Sequence, residues 1–126
     1  MIDLHTHTDA SDGRLTSHEL VERAWKAGIG VLGVTDHDTV AAIPDAQSAA
    51  KACGLEVITG IEITAIESGR DIHLLGYFID PGDTGLAAFL ATQRTQRMAR
   101  VEELGARLAE LGMPIDLESV LTQARE

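Results

Sequence analysis

The chain has 126 residues, 44% apolar and 24% charged, which suits one soluble globular domain with a core of its own but is short for a whole α/β barrel. Its formal net charge is −10, from 20 acidic and 10 basic residues, and this balance disfavours nonspecific binding to duplex DNA or to an anionic membrane. A small phosphorylated substrate is still compatible, because bound cations reverse the local field around acidic groups.

With two Phe, one Tyr and one Trp, the core has to be aliphatic and alanine-based. Cys53 is the single cysteine, so no internal disulfide forms, and its alanine-rich surroundings suggest a buried, inert thiol. No apolar run approaches the ~20 residues that span a bilayer. Residues suited to metal binding begin at His5, which leaves no room for a signal peptide, and a cytoplasmic protein is expected.

In chain order, Met1 to Leu4 reads as a short strand and His5 to Leu15 as a polar loop. Thr16 or Ser17 then caps a helix to about Ala27, with Leu20, Val21, Ala24 and Trp25 as its apolar face and Gly28 as its stop. Gly30 to Thr35 is a continuous apolar run, as expected of a strand buried on both faces. A helix from about Val40 to Ala52 follows, with Pro44 in its first turns and Gly54 as its stop. Leu55 to Thr64 is the next strand, and the turn at Glu67-Ser68-Gly69-Arg70 leads into a strand from Asp71 to Ile79 that can pair with it as a hairpin. After Pro81-Gly82 a long helix is expected, stopped near Gly112-Met113-Pro114, and Asp116 caps a last one. Early alternation of strand and helix predicts parallel βα units, in which functional groups gather at the carboxyl ends of the strands.

The residues predicted at those ends are chemically alike. His5 and His7 lie one residue apart in an extended segment and point to the same side, so both can approach one ion. Asp12 follows in Ser11-Asp12-Gly13 and can reach an adjacent ion. His37 stands between Asp36 and Asp38; Asp38 also suits an N-cap, and Asp36 can support an imidazole by hydrogen bonding. Glu62, between Ile61 and Ile63, is a carboxylate in an apolar strand that needs a cation unless it points out at an edge. His73, between Ile72 and Leu74, would alone read as a core histidine. His18 lies early in a helix, away from the others, and is assigned to the surface. Imidazoles and carboxylates in this mixture suit two to three divalent ions such as zinc, manganese or iron.

Asp3-Leu4-His5-Thr6-His7 with Ser11-Asp12-Gly13, then Thr35-Asp36-His37-Asp38, Gly60-Ile61-Glu62-Ile63 and His73-Leu74-Leu75-Gly76 resemble, in order and spacing, the motifs of the PHP (polymerase and histidinol phosphatase) family. The resemblance runs to about residue 112 and is nearest to stand-alone phosphoesterases acting on nucleoside 3′,5′-bisphosphates and short 5′-phosphorylated single-stranded RNA. It implies a distorted (β/α)7 barrel of TIM type, of which residues 1–82 would form the N-terminal βα part and residues 83–126 the start of a helical insertion. It also implies metal ligands: His5 and His7 on a first ion, Glu62 bridging to a second held by His73, and Asp12 with His37 on a third. Asp36 and Asp38 would stand behind these ligands. A metal-bound hydroxide would then be the expected nucleophile, with no serine or cysteine needed. The family completes its site with a further histidine and an Asp-x-His pair. No histidine follows His73, so the chain is expected to be the N-terminal part of a longer protein.

Arg94, Arg97 and Arg100 recur every three residues on the polar side of the long helix. They suit either a solvated face paired with Glu102 and Glu103, or recognition of a second substrate phosphate. Two other expectations follow from the resemblance: a noncatalytic or proofreading PHP module of a DNA polymerase, and a histidinol phosphatase. An amidohydrolase of related barrel chemistry would carry a carbamylated lysine where this chain has Glu62.

Overall fold

The computed structural model describes residues 1–123, in the order β1 (Ile2–Thr6), α1 (Ser17–Lys26), β2 (Val31–Val34), α2 (Ile43–Cys53), β3 (Glu56–Glu67), β4 (Arg70–Tyr77), α3 (Thr84–Glu110) and α4 (Leu117–Gln123). Chain contacts divide the described residues into two compact units, residues 1–90 and residues from 91 on.

In the first unit the sheet order is β1-β2-β3-β4. β1 pairs parallel with β2 and β2 parallel with β3, as βα units require, while β3 pairs antiparallel with β4. The hairpin turns at Ser68 (φ 52°) and Gly69 (φ 76°), two successive left-handed residues that match the twist of the flanking strands. β3 runs past Thr64 to Glu67, three residues further than its apolar pattern predicts, because the hairpin partner continues the ladder down to Glu67↔Arg70. Its parallel pairing with β2 stops earlier, at Val34↔Thr59.

The core is aliphatic, as the composition requires. Val21 and Ala24 of α1, Leu32 and Val34 of β2, Ala42, Ala46 and Ala50 at α2, and Leu55 are all buried together. Alanines on the inner face of α2 let that helix lie close to the sheet and to α1. Thr16 caps α1 in full: its hydroxyl accepts from Glu19 N–H, and the Glu19 side chain accepts from Thr16 N–H. α2 begins at Ile43 rather than Val40, with Pro44 in its first turn and no side-chain cap. Asp38 is therefore not a helix cap. Cys53 is partly exposed rather than buried, with its thiol donating to the Ala50 carbonyl.

The second unit holds most of α3 and all of α4. Leu117 packs onto Gly105, where any side chain would collide with it, and Asp116 accepts from the N–H groups of Glu118 and Ser119 to cap α4. Among the described residues no helix is long and apolar enough to cross a membrane.

Candidate metal centre

The carboxyl end of β1 and the segment after β2 both reach Glu62 of β3. Past the last regular β2–β3 pair, a single parallel bridge joins His37 to Glu62. Glu62 N–H donates to the Asp36 carbonyl at 3.1 Å, and Asp38 N–H donates to the Glu62 carbonyl at 3.0 Å. This bridge carries the backbone of the segment after β2 alongside β3. To make it, Asp38 takes a left-handed conformation (φ 50°), and its side-chain Oδ1 accepts from Thr64 N–H.

Glu62 is 3% exposed and is ringed by imidazoles. His5 Nε2 lies 2.8 Å and His7 Nε2 3.0 Å from Oε2, His73 Nδ1 lies 2.6 Å from Oε1, and His37 Nε2 is 3.8 Å from Oε2. Burial pushes the Glu62 carboxyl up. The His5 hydrogen bond, the His37 charge and the His73 hydrogen bond outweigh it and hold the group below the ordinary carboxylate range. Asp12, an exposed residue, sits on the other side of His7, with Oδ1 2.9 Å from Nδ1, and its Oδ2 is 3.7 Å from His37 Nε2. The His7 and His37 rings are 4.7 Å apart.

The sequence-predicted ligands His5, His7, Asp12, His37, Glu62 and His73 thus gather in one place. They form three overlapping groups, His5–His7–Glu62, His7–Asp12–His37 and His37–Glu62–His73, whose donor atoms in each lie within 4.8 Å of one another. The donor set fits divalent cations. His7 has a carboxylate oxygen within 3.0 Å of each ring nitrogen, an arrangement of nitrogen and oxygen donors that suits a cation. His37 Nδ1 is buried without a hydrogen-bond partner among the described residues.

Asp36 does not touch an imidazole. Its carboxylate accepts from Thr8 N–H, the Thr8 hydroxyl and the Ser11 hydroxyl. Sequence reasoning assigned no role to Thr8, which is fully buried directly after the His-x-His pair. A threonine in a polar loop carries no periodic signal, and its partner lies 28 positions away. Gly13 completes the loop by close approach, since a Cβ there would stand 2.5 Å from the His7 carbonyl oxygen. Arg94, Arg97 and Arg100 are exposed on α3 in the second unit. His18 is exposed on α1.

The PHP domain model matches residues 3–97. A 5′-3′ exoribonuclease of Haemophilus influenzae is 45% identical over 112 residues, covering 89% of this chain and 41% of that protein. A 3′,5′-nucleoside bisphosphate phosphatase of Chromobacterium violaceum is 36% identical over 112 residues, covering 89% of this chain and 39% of that protein. A solved structure from Bifidobacterium adolescentis, inferred to be a metal-dependent phosphoesterase, superposes with a TM-score of 0.84 at 35% identity and covers 99% of this chain and 43% of that one. The chain spans about two fifths of the length of the curated relatives it matches. Its mixed sheet with parallel βα units, its histidine and carboxylate cluster and the family match agree: this chain belongs to the PHP domain family.

Proposed function

We propose that this chain supplies metal ligands to a phosphoesterase that hydrolyses nucleotide phosphate esters, such as nucleoside 3′,5′-bisphosphates or short 5′-phosphorylated RNA. The observation that carries the reading is Glu62, a buried carboxylate contacted through its two oxygens by His5 and His7 at the end of β1, His37 after β2 and His73 of β4. His5 and His7 would hold one ion, Glu62 would link it to a second held by His73, and Asp12 with His37 would hold a third. Manganese, zinc and iron all suit such a nitrogen and oxygen donor set. When bound, such ions lower the pKa of water and offset charge on phosphoryl oxygens.

The protein's own groups complete the reading. Glu62 keeps a fixed negative charge at the centre, and the half-exposed His5 and His73 form the rim through which a substrate enters. The Ser11 hydroxyl donates to Asp36 at 2.6 Å, and no serine nucleophile is needed when a metal-bound hydroxide attacks. Arg94, Arg97 and Arg100 would take a second phosphate, as guanidinium groups do in bidentate pairs.

The test is to load the purified chain with Mn²⁺ or Zn²⁺, count ions retained after dialysis, and follow phosphate release from a nucleoside 3′,5′-bisphosphate with and without chelator. Retained ions and chelator-sensitive release are expected. Retention of less than a single ion per chain would overturn the reading for this chain.

A further inference from the structure

We infer that Asp36 is a positioning residue: its buried carboxylate gathers the loop from Thr8 to Gly13 and so holds Asp12 against His7. This rests on the metal-centre reading above and goes beyond it, because Asp36 belongs to none of the three ligand groups.

Asp36 is 1% exposed, and a buried carboxylate is tolerated only where hydrogen bonds replace water. Its partners are one amide and two hydroxyls: Thr8 N–H at 2.7 Å, Thr8 Oγ at 2.8 Å and Ser11 Oγ at 2.6 Å. All three belong to the loop after β1. The loop closes on the same point from within, since the Thr8 carbonyl accepts from Ser11 N–H at 3.2 Å and from Gly13 N–H at 2.9 Å. Asp36 is itself fixed, following the buried Thr35 at the end of β2, with its carbonyl accepting from Glu62 N–H. The loop is therefore referenced to the strand that carries Glu62.

Ser11 transmits the effect. Its hydroxyl has one proton, and the shortest contact gives that proton to Asp36. Toward His7 Nδ1, 3.5 Å away, the same oxygen then offers a lone pair. Asp12 Oδ1, 3.4 Å from Ser11 Oγ, stands 2.9 Å from His7 Nδ1. Asp36 thus sets where Asp12 stands beside His7, whose other ring nitrogen faces Glu62.

The experiment compares the chain with Asp36→Asn, Ser11→Ala, Asp12→Asn and the double variant Asp12→Asn/Asp36→Asn. It reads Mn²⁺ affinity by calorimetry and amide exchange of Thr8 in the metal-free protein by NMR. Asp36→Asn and Ser11→Ala are expected to weaken Mn²⁺ binding about 10–100-fold, as loss of a supporting hydrogen bond to a metal site does. The double variant should bind no more weakly than Asp12→Asn alone, because Asp36 acts through the loop that carries Asp12. Thr8 N–H should exchange faster in Asp36→Asn while the β2 amides stay protected. Unchanged affinity in both single variants, multiplying losses in the double, or unchanged Thr8 protection would each overturn the proposal. Should Asp36→Asn fail to fold, Ser11→Ala at its partly exposed position cuts the same link and decides it. A parent chain that binds no Mn²⁺ overturns the metal reading, and Thr8 exchange then judges Asp36 separately.

Discussion

His73 Nδ1 lies 2.6 Å from Glu62 Oε1, although the two are not opposite each other: Glu62 pairs with Leu75, and His73 with Thr64. They are diagonal neighbours on one face of the antiparallel ladder, within reach for a long side chain. His73 belongs to one of the three ligand groups and Glu62 to two. Glu62→Gln is therefore expected to remove more bound metal than His73→Ala, measured as ions per chain by elemental analysis after dialysis. Equal retention by the two variants would contradict the bridging role of Glu62.

Gly13→Ala tests the loop from the backbone side. The added Cβ meets main-chain atoms of His7 and Thr8 at 2.5–2.6 Å, and backbone cannot step aside as a flexible side chain can. A stability loss of about 1–3 kcal/mol is expected from such overpacking, together with weakened Mn²⁺ binding. A variant with parental Tm and parental affinity would show that the loop accommodates the methyl group.

The α1 cap gives a prediction with a pH sign. Thr16→Ala should lower stability by about 1 kcal/mol. Thr16 N–H, and then the Thr16 hydroxyl, hold the Glu19 carboxyl below its ordinary value. A carboxylate with a lowered folded-state pKa contributes fully above its unfolded value and loses that contribution as pH falls through the folded one. The Tm gap between the parent and Glu19→Ala is therefore expected to be full near neutrality and to close below about pH 4. A gap unchanged down to pH 2 or so would rule out the ionised cap.

For the arginines of α3, Arg97→Ala should raise KM for a nucleoside 3′,5′-bisphosphate about tenfold or more, the scale of a lost hydrogen bond to a charged group. A phosphate monoester lacking the second phosphate should be nearly unaffected. Equal losses on both substrates would argue against recognition of a second phosphate.

The sequence alone brought His5, His7, His37 and Glu62 into consideration because such residue types fall together near strand ends, while Asp12 and His73 joined them through the order and spacing of the PHP-like motifs. Element types were readable from apolar periodicity, and the α1 cap from Thr16 and Glu19. Boundaries failed where distant partners decide them. β3 is prolonged by β4, and α2 starts late because His37 and Asp38 are drawn alongside Glu62. The role of Asp36 was not legible for the same reason: its donors are 25 and 28 residues away and have ordinary loop identities.

Glu62 is clamped through its own main chain, its N–H by the Asp36 carbonyl and its carbonyl by Asp38 N–H, while β4 flanks the strand on the other side. An arriving cation meets a carboxylate whose backbone has no conformational freedom left to surrender. The ordering entropy that a loose site gives up at binding is given up here at folding. What a cation has to displace instead is contacts already made, because the imidazole nitrogens facing Glu62 are the same atoms that a metal would need.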